Sequence, residues 1–216
     1  MRLLVFGASG GVGRHVVRLA LDAGHPVTAV ARRADGIDPR AQVVLDDVLG
    51  EGCFERHMAG HDAVVSALGL RRRSPANPWS RLVSPPDFCS RTATTMVAAM
   101  RANDVRRVVA VSAAGVGDSA GSMNALMKFF VARSNVGVAY RDLAVMERVF
   151  TESGLDWCCP RPTRLTHGPL TRRVTITDSF PMSAAITRAD VAWWMLTRAE
   201  QRDPPVESRT PLLTSG

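Results

Sequence analysis

Leu3-Leu4-Val5-Phe6 runs without a break into Gly7-Ala8-Ser9-Gly10-Gly11-Val12-Gly13. No other feature constrains this chain as strongly. A short continuous apolar run reads as a strand buried on both faces, the kind found in parallel sheets covered by helices. Apolar residues at Val12, Val16, Leu19, Ala20 and Ala23 then follow helical spacing, and Gly24 stops the pattern. A strand, a glycine turn and a helix in this order leave few folds open.

The rest of the chain repeats the alternation. Val27 to Ala31, Gln42 to Leu45, Ala63 to Ala67, Arg107 to Val111 and Leu155 to Cys159 read as further strands. Glu51 to Ala59, Phe88 to Ala102 and Tyr140 to Glu152 read as helices, and Pro160 and Pro162 stop the last strand. The expected architecture is α/β: a Rossmann-type doubly wound parallel sheet with helices on both faces. Residues 1–216 read as one domain. Two long loops interrupt it, at about 70–86 and from Arg161 to about Met182, the second counted to 187 as a small C-terminal substrate region. Both follow strand C-termini, the edge where open α/β sheets bind ligands.

Gly7, Gly10 and Gly13 have the spacing of a diphosphate-binding turn. One glycine makes the turn, one admits the diphosphate to the backbone, and one lets helix and strand pack closely. Ser9, Gly11 and Val12 complete that loop, and the helix N-terminus adds free N–H groups and a positive dipole end. The end of the second strand selects the cofactor. An NAD site usually places Asp or Glu there, whereas this chain has Arg32-Arg33. Their guanidinium groups suit a 2′-phosphate, so NADPH is expected. Asp35 and Asp38 lie past the strand and could still serve a ribose. Asp47 and Val48 follow strand three, where an Asp can accept from an adenine amino group or simply cap a turn. Ala67, Leu68 and Gly69 end strand four, where small residues let the backbone pass a cofactor.

Composition narrows the chemistry. There are 27 basic and 20 acidic residues, a formal net charge of +7. Every basic residue except Lys128 is Arg, and Tyr140 is the sole Tyr. A Tyr-x-x-x-Lys pair is excluded, because Ala144 stands four residues after Tyr140. The Arg residues are scattered apart from Arg71-Arg72-Arg73 and three pairs, with no interleaved aromatics, so no nucleic-acid partner is expected. No apolar run is long enough to span a membrane and no signal peptide is read, so no membrane partner is expected. Cys53, Cys89, Cys158 and Cys159 form no Cys-x-x-Cys pair, so the reading is no metal, no disulfide framework and a cytoplasmic setting.

Taken together, these segments resemble the atypical short-chain dehydrogenase/reductase group of NAD(P)H-binding proteins. Within it the pattern is similar to biliverdin-IXβ reductase/flavin reductase and to the NmrA-like proteins. The resemblance rests on Phe6 to Gly13, Asp47-Val48-Leu49, Val97 to Met100, Val108 to Ser112, Gly115 to Ser119, Glu152 to Trp157 and Arg161-Pro162. It implies a Rossmann core, NADPH binding along an edge that includes Ser112, Pro162 and Thr163, and hydride transfer to flavins or tetrapyrroles in the reductase members. It also implies departures. The flavin-reductase relatives carry a hydroxyl pair at the end of strand five, where this chain has Ser112-Ala113. They place a His after the strand-six Pro, where this chain has Thr163-Arg164.

Two function classes follow. The first is an NADPH-dependent oxidoreductase passing hydride to a planar flavin, quinone or tetrapyrrole, or to a carbonyl or enone of a biosynthetic intermediate. The second is a non-catalytic NmrA-like NADP(H) sensor that binds a partner protein. For the first, Ser112 and Tyr140 are the catalytic candidates, although Ser112 could serve a local backbone group and Tyr140 could be packing. Trp79, Ala113, Arg164 and His167 are the substrate-side candidates, Arg164 for an anionic group, with solvent the other place for His167. Trp79, Phe88 and Met123–Phe130 could form an apolar wall or lie in the core. Asp142 and Glu147 match family positions and equally fit a solvated helix face. Cys158-Cys159 reads as inert packing. A small-molecule acceptor and a monomer or small homo-oligomer complete the expectation.

Overall fold

The structure, a computed structural model, describes residues 1–74, 76–201 and 209–216. Six parallel strands form the central sheet: β1 (Leu3–Phe6), β2 (Val27–Ala31), β3 (Gln42–Leu45), β4 (Ala63–Ser66), β5 (Arg107–Ala110) and β6 (Asp156–Cys158). Their spatial order is β3-β2-β1-β4-β5-β6. The order reverses between β1 and β4, in register Leu3 with Ala63 and Phe6 with Ser66. That reversal is the switch point where such sheets bind ligands. Every strand of the sheet matches its expected position to within two residues at either end.

Helices cover both faces. On one side lie α2 (Cys53–Met58), α3 (Phe88–Ala102) and α5 (Asn135–Thr151); on the other lie α1 (Gly13–Asp22) and α6 (Arg188–Glu200). Alternate strand residues divide between the two cores. Leu4, Phe6, Val64 and Val108 face the first with Phe54, Met96 and Phe150, and Leu3, Val5, Val65 and Val109 face the second with Val16, Met195 and Leu196. Strand side chains alternate faces, so a strand filling two cores must be apolar throughout. Phe88 packs against the first core. The helix α1 ends as read, with Gly24 at φ +80° after its C-terminus.

Several elements depart from the sequence reading. The helix expected from Tyr140 begins at Asn135, because Ser134 caps it by accepting from the Val136 N–H at 3.3 Å. A separate helix, α4 (Ala125–Ala132), precedes it, capped by Asn124. The late loop carries short strands: β7 (Arg161–Pro162), β8 (Arg164–Thr166), β9 (Val174–Thr177) and β10 (Ala185–Thr187), with β11 (Leu212–Ser215) after α6. Their pairings, β10-β8 and β7-β11-β9, join residues far apart in sequence, which short-range periodicity does not reveal.

Candidate cofactor and acceptor site

All six strands of the central sheet point the same way, so their C-terminal ends meet at one edge. The glycine turn sits at the switch point. Gly7 has φ +74°, and a Cβ there would come within 2.8 Å of the Ala67 carbonyl oxygen. Gly13 is tighter, since a Cβ would fall 2.2 Å from the Gly7 oxygen. The Gly10 N–H donates to Gly7 O at 2.9 Å and closes the turn. No acidic residue occupies the first turn of α1 and no side chain caps it, which leaves that helix end positive.

The cradle is also held from outside. A Cβ on Gly11 would meet the Arg188 side chain at 2.8 Å, so this Arg lies across the glycine loop. Burial lowers the pKa of His15 on α1, and the charges of Arg18, Arg14, Arg188 and His167 lower it further. The loop thus sits in a positive field. His167, exposed, belongs to this cluster. Arg188 was missed in the sequence, although Thr187-Arg188-Ala189-Asp190 is a recognisable helix start.

Beyond the C-terminal end of β2, Arg32 and Arg33 are exposed, with Arg33 only 4.0 Å from Asp35. Asp47 accepts from the Leu49 N–H at 3.1 Å and so also caps its turn. Val48 lines a cavity of about 440 Å³ with Gly52, Phe54, Arg91, Thr92 and Thr95. Next to it, Asp46, Cys53 and His57 bring ligand atoms within 4.8 Å of one another. The carboxylate of Asp46 is already taken by Arg56 and His57, each at 2.8 Å. Those two contacts hold it well below the usual carboxylate range, and burial pushes the Cys53 thiol up to about 12. Charge pairing accounts for this cluster.

The β5 end is stitched to the segment after β6. Ser112 N–H donates to Pro160 O at 2.8 Å, and Ala114 N–H to Pro162 O at 3.0 Å. Ser112, Ala113, Pro162 and Thr163 are thereby brought together. The Thr163 hydroxyl is buried with no hydrogen-bond partner among the described residues. Ser112 serves a side chain, not the local backbone: its Oγ donates to Glu147 Oε1 at 2.6 Å. Arg161 grips the same carboxylate through Nε at 3.0 Å and Nη2 at 2.7 Å, while its Nη1 reaches Asp118.

The solvated-face reading of Asp142 and Glu147 is therefore wrong, because both are buried. Asp142 reaches from α5 to accept from the Cys89 and Ser90 N–H groups at 2.7 and 3.0 Å, capping α3. Their helix face is covered by other elements that sequence spacing alone does not show. Tyr140 packs beside Gly115 and Met123. Burial raises its pKa, and the charge of Arg72 partly opposes this. Trp79 is exposed and bonded to the end of α4, its Nε1 donating to Arg133 O at 2.9 Å. Arg164 is exposed on β8. Cys158 and Cys159 are buried, with thiols pushed up by desolvation.

Comparison with known proteins matches residues 7–202 to the NAD(P)H-binding family. The chain belongs to that family. A stretch of 92 residues is 37% identical to the chloroplastic divinyl chlorophyllide a 8-vinyl-reductase of Oryza sativa subsp. indica. That match covers 36% of this chain and only 23% of the rice protein. Among solved structures, ChuY, an anaerobillin reductase from Escherichia coli O157:H7, is 23% identical with a TM-score of 0.78 over 100% of this chain and 97% of its own. A short-chain dehydrogenase/reductase from Veillonella parvula in complex with NADP is 17% identical, with a TM-score of 0.75 over 98% and 93%. These structural likenesses establish the shared Rossmann fold.

The cradle fits a dinucleotide. A Cβ on Gly7, Gly10, Gly11 or Gly13 would come within 3.0 Å of a neighbouring atom, the helix end carries no competing acid, and Thr163 offers a buried hydroxyl unpaired among the described residues. Gly7, Ser9, Gly10, Gly11, Val12 and Gly13 would hold the diphosphate, with Arg188 beside it.

Proposed function

We propose that the chain is an NADPH-dependent reductase of a planar acceptor such as a flavin, quinone or tetrapyrrole, working in the cytoplasm. The observation that carries this reading is the pairing of the glycine cradle with the Ser112–Glu147–Arg161 array at one sheet edge. The names of its relatives, a vinyl-reductase and an anaerobillin reductase, support reduction as the chemistry. The exposed Arg32-Arg33 pair and the neighbour crystallised with NADP support the phosphorylated cofactor.

The bound cofactor would supply hydride. The protein's own part is positioning. Arg161 donates to both oxygens of Glu147, and the Ser112 hydroxyl donates to the same carboxylate. The remaining lone pairs of Ser112 then face away from Glu147, fitted to accept from the cofactor's amide or hydroxyl groups. Ser112 in this arrangement holds a partner and does not protonate a product. Tyr140 stays a neutral phenol and lines the acceptor side with Met123. A flavin or quinone can take its proton from water, which suits a site without Tyr-x-x-x-Lys.

Anaerobic multiple-turnover oxidation of NADPH with flavin, quinone and tetrapyrrole acceptors tests the reading. Sustained turnover with one of these classes is the expected result. Tight NADPH binding without turnover across the panel would replace the reductase with an NADP(H) sensor.

A further inference from the structure

The helix α4 is apolar on two sides. Met127 and Val131 face inward, against the small core of Ala114, Met123, Phe180 and Leu212. Leu126, Phe129 and Phe130 project outward at helical spacing, the first two about 60% exposed (62% and 60%). An outward stripe of this kind is costly in water unless something covers it. Trp79, 59% exposed, extends the stripe from the neighbouring loop. Its ring meets Phe130 edge-on at 5.4 Å, and its N–H is already spent on Arg133 O. Asn135 fixes the loop by donating to the Trp79 and Ser80 carbonyls at 3.2 and 3.0 Å.

Charge identifies the partner. Residues 70–86 and 119–141 contain seven basic side chains and no acidic one, as large as the formal net charge of the chain, +7. Arg71, Arg73, Arg81, Lys128 and Arg133 are exposed, and the Arg133 guanidinium sits 5.3 Å from the centre of the Phe129 ring. Bulky apolar side chains flanked by Lys and Arg, with no acid between, are the composition of a helix that lies in the interface of an anionic bilayer. A second copy is a poorer occupant, since a two-fold contact through this face would set the same basic residues against each other.

We propose that α4 and the 70–86 loop form a reversible docking surface for anionic lipid bilayers, with Leu126, Phe129, Phe130 and Trp79 entering the interface. The helix lies on the bilayer and does not cross it; among the described residues no helix is long and apolar enough to do so. This surface adjoins Met123 and Tyr140 and would give the site access to acceptors dissolved in lipid. The proposal holds whether the chain is a reductase or a sensor.

Co-sedimentation with vesicles of phosphatidylcholine, alone and mixed with phosphatidylglycerol, tests it. The wild-type chain is expected to sediment with the mixed vesicles and not with the neutral ones, and to be released by added salt. Leu126→Ser with Phe129→Ser, and separately Arg81→Glu with Lys128→Glu, should each weaken binding about tenfold or more. These residues are exposed, so unchanged melting temperatures verify folding. Failure of the wild type to prefer anionic vesicles, or binding indifferent to both pairs of changes, would overturn the proposal. So would light scattering that shows a dimer abolished by the Leu126/Phe129 change.

Discussion

Ser112 Oγ lies 2.6 Å from Glu147 Oε1, and Arg161 holds that same oxygen from the other side at 3.0 Å. A serine whose proton is given to a carboxylate can accept from a ligand but is not the acid that finishes a reduction. Ser112→Ala should therefore lower kcat/KM only about two- to tenfold, the worth of one ordinary hydrogen bond. The pH profile should keep its shape. A loss on the order of a hundredfold or more, with one limb of the profile removed, would show that Ser112 transfers the proton. Steady-state kinetics across pH distinguishes the outcomes.

Glu147 and Arg161 are both buried, and removing one charge strands the other. Glu147→Ala should destabilise the fold by about 3–5 kcal/mol, because the Arg161 guanidinium would keep only Asp118 at its exposed end. Denaturant unfolding measures this. A change below about 1 kcal/mol would mean that water reaches the site and replaces the partner.

The glycine turn separates folding from binding. Gly13→Ala drives a Cβ into the Gly7 backbone and should destabilise the protein. At Gly11 the Cβ meets the flexible Arg188 side chain, which can move aside. Gly11→Ala should fold normally and weaken cofactor binding. Melting curves and cofactor titrations on the two variants check this, and similar melting temperatures for both would contradict it.

How much of this was readable beforehand depended on range. Strands β1 to β6 and the glycine turn announce themselves through local periodicity, because a strand buried on both faces has no polar position to mislead. Glu147 did not. Its helix face looks solvated until β5 and the Arg161 segment are packed against it. Arg161 stood in plain view before Pro162, but its partner lies 14 residues away on another element. Strands β8 to β11 escaped for the same reason, whereas the start of α6 carried a local signal in Thr187 and Asp190. The strand pairings cross the chain, and the buried Asp190 that pins the loop accepts from Thr171, Arg172 and Thr187.

Asp190 also predicts behaviour in acid. Burial alone would raise its pKa, but the hydroxyls of Thr187 and Thr171 and the N–H groups of Thr171 and Arg172 outweigh this and lower it below 3.8. Asp118 is lowered as well, by Arg161. A carboxylate with a depressed folded pKa adds stability that is fully present above its unfolded value and is lost as pH falls through the folded one. Stability should therefore fall below about pH 4. In Asp190→Asn that decline should be shallower, from a lower starting stability. Chemical denaturation between neutral and acidic pH measures both, and an unchanged slope in the variant would remove Asp190 from the explanation.

Cofactor identity underlies both the reductase and the sensor, and paired calorimetric titrations of NADPH and NADH test it most directly. The wild-type chain should bind NADPH more tightly by about tenfold or more, from charge-assisted contacts of Arg32 and Arg33 with the 2′-phosphate. The Arg32→Ala/Arg33→Ala variant should lose that preference while NADH affinity stays nearly constant. Equal affinities in the wild type, or equal losses for both cofactors in the variant, would contradict the assignment.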